Sequence, residues 1–216
     1  MSTENSLIDA ALRGWKSNVE RADNLFGTLS PEQLEQQVTP GKNRLIYLWG
    51  HLAAVNDGLL PLLGIGERLH PELDAMFISK PDRSVELTVT AQSLKLAWDK
   101  INQRLWEGFS KFSPADWAGR HTAVSEEEFK REPNRNKFTV LLGRTAHMSY
   151  HVGQAMLAGP KAQRLSRETR IEPTLKKMAV KKLSATRSST AWLLWLSRHA
   201  QTMLIASSML PRVARE

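Results

Sequence analysis

Four stretches of this chain, each twenty-odd residues long, repeat apolar side chains at steps of three and four, and no convincing strand-like alternation competes with them. That step is the period of an α-helix, so each stretch presents one apolar face that must be buried against another element. The first stretch, 6–28, carries Ile8, Ala11, Trp15, Val19, Ala22 and Phe26, and the second, 43–63, carries Leu45, Leu48, Leu52, Val55, Leu59 and Leu62. The third, 90–112, carries Leu94, Trp98, Ile101, Leu105, Phe109 and Phe112 and stops at Ser113-Pro114. The fourth, 136–158, is closed by Gly159-Pro160. Between the first two, Ser30-Pro31-Glu32 predicts a short extra helix with Ser30 as its N-cap and Pro31 at its first position, ended by Thr39-Pro40-Gly41. The expected fold is all-α: a four-helix bundle over residues 1–160, with long connections after the second and third helices.

Charge divides the chain at the same boundary. Residues 1–160 hold 18 Lys and Arg against 19 Asp and Glu, whereas 161–216 hold 12 against 3. The net charge of +8 therefore belongs to the C-terminal segment, and the bundle offers no phosphate-binding surface by composition. Residues 161–216 read as a basic extension, partly helical or disordered. Contact with nucleic acid or membrane through it is the reading least expected, because its basic residues are scattered. The chain contains no cysteine, which excludes disulfides, thiolate metal sites and a cysteine nucleophile. Its first residues show no basic region followed by an apolar run, so cytoplasmic localisation is expected.

The residues that promise chemistry are histidines. His147 and His151 are spaced i, i+4 and leave one face of the fourth helix a turn apart, while His51 lies within the apolar second helix. If those helices touch, three imidazoles converge and can hold a divalent ion with coordination positions left open. Histidines buried in the core and satisfied by hydrogen bonds explain the same spacing. Tyr47 lies a turn before His51, and Arg144, Tyr150 and Gln154 lie within a turn of the pair on roughly the same face, where they could orient imidazoles or meet a substrate. Asp57 is rotated about 240° from His51, away from a ligand position. His70 and His121 fall in loops, and no carboxylate is spaced to stand beside the metal as a general base.

Trp49-Gly50-His51-Leu52 with Asn56-Asp57 after it, Leu62-Leu63-Gly64, and His147-Met148-Ser149-Tyr150-His151-Val152-Gly153-Gln154, in this order of helices, resemble the DinB-like superfamily of four-helix-bundle metal-dependent proteins. The resemblance covers about residues 6–158. It implies a divalent ion, zinc, nickel, manganese or iron, held by His51, His147 and His151. It also implies a hydrolase, or a transferase or isomerase using a low-molecular-weight thiol as cosubstrate, acting on a small molecule in a chain that can form a homodimer. The competing expectation is a non-catalytic bundle that serves as a dimerisation or partner-binding module.

Overall fold

Ser2, Ser30, Thr90, Ser113 and Ser125 each stand immediately before a helix and accept a hydrogen bond from the backbone N–H three residues on, so five helix starts are written into the sequence. Four of the five are reciprocal capping boxes, with Gln33, Ser93, Asp116 and Glu128 reaching back to the cap. The computed structural model describes residues 2–158. It is all-α, with no strand among the described residues. In chain order the helices are α1 (Thr3–Phe26), α2 (Pro31–Leu34), α3 (Leu45–Leu62), α4 (Leu73–Phe77), α5 (Ala91–Phe109), α6 (Pro114–Ala118), α7 (Glu126–Arg131) and α8 (137–158). The extension expected over 161–216 lies outside the described residues.

The four long helices fall on the four periodic stretches within a few residues at their ends, α1 starting three residues earlier than expected and the other three starting one or two residues later. Where α4, α6 and α7 form, the periodic pattern predicts only connections. Each has five or six residues, too few for an apolar period to register, and α7 grows out of the Glu126-Glu127-Glu128 run that reads as plain solvated surface.

α3 is the centre of the assembly. Thirteen of its residues are buried, on all sides of the helix, and it packs against α1, α2, α4 and α5. Trp49 stacks on Phe26 of α1, with ring centroids 5.6 Å apart, and Asn56 donates to Asn102 of α5 at 2.8 Å, pairing two polar groups inside the core. α8 closes the core with Leu141, Met148, Val152, Ala155 and Ala158. No helix among the described residues is long and apolar enough to cross a membrane.

Two features place α4 against α3, one in the connection after it and one within α3 itself. Gly64 turns the chain at φ 71°, a conformation that suits glycine, and the chain comes back along α3. There the fully buried carboxylate of Asp57 accepts from Leu69 N at 2.8 Å, His70 N at 3.1 Å and Arg68 Nε at 3.0 Å. Arg68 also grips Asp74 of α4, its Nη2 donating at 2.7 Å. The second feature is Gly50. A Cβ there would overlap the Phe77 ring, so only glycine lets α4 lie this close to the turn of α3 that carries His51.

Candidate metal centre

His51 enters from α3, and His147 and His151 from α8. The two residues that follow the α8 histidines, Met148 and Val152, are buried, so His147 and His151 sit at the margin between core and solvent and are half-buried, as is His51. That margin suits a centre that must be dry on one side and open on the other. The three rings meet edge to edge at interplanar angles of 58°, 75° and 81°. His147 Nε2 lies 3.3 Å from His51 Nε2 and 3.1 Å from His151 Nε2, and ligand nitrogens of all three residues fall within 4.8 Å of one another. Nitrogens held about 2.0–2.1 Å from one ion are separated by about 3.3 Å at tetrahedral angles and about 2.9 Å at octahedral ones. The two distances from His147 fall in that window.

Proton positions strengthen the fit. His51 Nδ1 is 2.9 Å from the Phe77 carbonyl oxygen, which can only accept, so Nδ1 carries the proton and Nε2 presents a lone pair. His151 Nδ1 donates in the same way to Gln154 Oε1 at 2.8 Å, and Gln154 Nε2 donates to Tyr150 Oη at 2.9 Å. His147 Nε2 thus faces two lone pairs, and a single N–H can serve only one of them. A cation at the centre satisfies all three nitrogens at once. Burial first, then the other two histidines and Arg144, press His147 down from its ordinary value to about 4, and burial also lowers His151, against the opposing effect of Gln154. Both rings therefore stay neutral at physiological pH, the form in which imidazole binds metal.

Of the other residues singled out by sequence, Tyr47 stacks beside His51 at 9° between ring planes and donates its hydroxyl to Lys80 O at 2.7 Å, so it backs the ring rather than offering its oxygen to the centre. Burial, with the nearby charge of Asp82, raises the Tyr47 phenol above its usual range. Tyr150 is 62% exposed and meets His151 edge-on. Gln154 orients His151, and Arg144 is half-buried on the turn before His147. Asp57 is no ligand; it binds Arg68 and the returning loop. Phe77 contributes a backbone carbonyl that leaves no signature in residue type, and the close approach at Gly50 is likewise absent from the periodic pattern. The glycine inside an apolar helix, next to a candidate ligand, was the available clue.

No family model matches the chain, and no curated protein matches it.

Proposed function

We propose that this chain is a divalent-metal-binding protein, a four-helix bundle of the DinB-like kind, whose three histidines serve a metal-dependent hydrolase reaction or a thiol-dependent transfer or isomerisation. The observation that carries this reading is the convergence of three imidazole edges, two of them with Nδ1–H already committed, so that lone pairs point at one spot. Without an ion the single N–H of His147 can serve only one of the two lone pairs it faces and the other stays unpaired, whereas an ion takes all three Nε2 lone pairs.

His51, His147 and His151 would hold the ion, and an all-imidazole set favours zinc, nickel or iron over manganese, which suits carboxylate oxygen. Once bound, a divalent ion at such a centre lowers the pKa of water or a thiol at its open positions, or polarises a carbonyl. The chain's own groups fix the ligands: the Phe77 backbone carbonyl sets the tautomer of His51, Gln154 sets that of His151, and Tyr47 supports the His51 ring from one side. No carboxylate belongs to the cluster among the described residues, and the chain contains no cysteine, so a thiol would enter with a cosubstrate. Elemental analysis of the natively purified protein and of the His51→Ala, His147→Ala, His151→Ala triple variant tests the reading. One divalent ion per wild-type chain, lost in the variant, is expected; equal metal content in the two refutes it.

A further inference from the structure

Three neutral imidazoles leave a bound divalent ion its full positive charge, and no Asp or Glu joins them among the described residues. The charged neighbour is itself a cation. Arg144 precedes His147 by three residues on α8, hence lies one turn away on the same face. It is half-buried, and its charge is one of the influences felt by His147. Arg44, Arg68 and Arg135 each pair with carboxylates, but Arg144 makes no ion pair and no hydrogen bond with any described residue. A half-dry rim that gathers an ion and a guanidinium, with no anion to balance them, concentrates positive potential where a ligand would arrive.

Resting on the metal reading above, we propose that this centre takes a small molecule bearing an oxyanion, a carboxylate or a phosphate, and that Arg144 holds that oxyanion beside the three histidines. The guanidinium fork matches the two oxygens of either group, and its hydrogen bonds to a charged acceptor gain strength at a partly desolvated rim. A neutral ligand of the same shape leaves the positive charge uncompensated and is selected against.

Calorimetric titration of the zinc-loaded protein with acetate, inorganic phosphate and acetamide tests this. Binding of acetate or phosphate, and none of the neutral acetamide, is expected; the tighter of the two anions identifies which oxyanion the site fits. Arg144→Gln should weaken that binding about tenfold or more at unchanged zinc content, and Arg144→Lys, which keeps the charge but not the fork, should fall between. Equal oxyanion affinity in wild type and Arg144→Gln, or no binding of either anion, overturns the inference and leaves the metal reading standing. Failure of the wild-type chain to hold zinc overturns both.

Discussion

Replacing Asp57 by alanine removes the buried acceptor on which the connection between α3 and α4 is fastened. The carboxylate is fully buried and accepts from Arg68, Leu69 and His70, so its loss strands two backbone N–H groups and half of an ion pair. Each stranded amide costs about 1–3 kcal/mol, and breaking a fully buried pair about 3–5 kcal/mol. Arg68 keeps Asp74 and is partly open to water, which holds its share to the bottom of that range or below it. Water entering the space left by the side chain can reach the amides too, so the low ends apply and the expected loss is about 4 kcal/mol. Typical domains have only about 5–15 kcal/mol in total, so the variant should fold but with a much lower urea midpoint. Urea unfolding followed by circular dichroism in the presence of a chelator measures this. Asp57→Asn, which keeps one oxygen acceptor, should lose about half as much. Because the same network places α4, and with it Phe77 O against His51, metal affinity at a temperature where the variant is folded should also fall about tenfold. A loss below about 1 kcal/mol, within the range of an ordinary surface substitution, would refute the assignment of Asp57 as a buried fastening. A full loss of stability with unchanged metal affinity would show that α4 is placed by something else.

Gly50→Ala forces a methyl into the Phe77 ring, and overpacking of this kind costs about 1–3 kcal/mol; the sharper readout is weaker metal binding, and an unchanged affinity in a chelator competition would contradict the role given to Phe77 O. Gln154→Ala removes the acceptor that sets the His151 tautomer, and should reduce metal affinity about tenfold to a hundredfold with little change in helix content; equal affinity by the same competition would count against it. Burial alone would raise the Asp82 carboxyl, but hydrogen bonds from the Arg44 side chain and backbone outweigh it and hold the group below its ordinary value of 3.8. Its contribution to stability is therefore present above that value and lost as pH falls through the lower folded-state value, so Asp82→Asn should lower the melting temperature at neutral pH and cease to do so in strong acid; a pH-independent difference between the two proteins would contradict this.

How much was legible in the sequence follows the range of each interaction. The long helices were, because Trp15, Ala22 and Phe26, or Leu94, Trp98, Ile101, Leu105 and Phe109, repeat often enough for the helical period to register, and these residues are buried. The start of α2 was legible too, since Ser30 and Pro31 act within one turn. The same local chemistry at Ser113 and Ser125 starts α6 and α7, but a capping box before a five- or six-residue helix has no apolar stripe to confirm it. α4 has no side-chain cap at all; it is held by Arg68, whose partner Asp57 lies eleven residues back on another element, and no periodicity fixes where such a loop returns. The spacing of His147 and His151 nominated a pair, and only the packing of α3 and α8 against one core brings His51 to them.

That packing also bears on what a metal would do for this fold. Small zinc domains acquire their structure from the ion, because nothing else aligns the ligands. Here His51 is aligned by a backbone carbonyl from a helix that a buried ion pair and a glycine contact fix in place, and His151 by a glutamine one turn on. The core beneath them, from Trp49 and Leu52 on α3 to Met148 and Val152 on α8, is continuous without the ion. Helix content is therefore expected to stay unchanged when a chelator is added, as circular dichroism would show, and an ion's contribution to stability should follow the logarithm of its concentration over its dissociation constant, as for any ligand of a folded state. Ligands held by the protein's own contacts would keep one geometry through exchange of whatever occupied the open positions, which chemistry at those positions would require and a purely structural site would not.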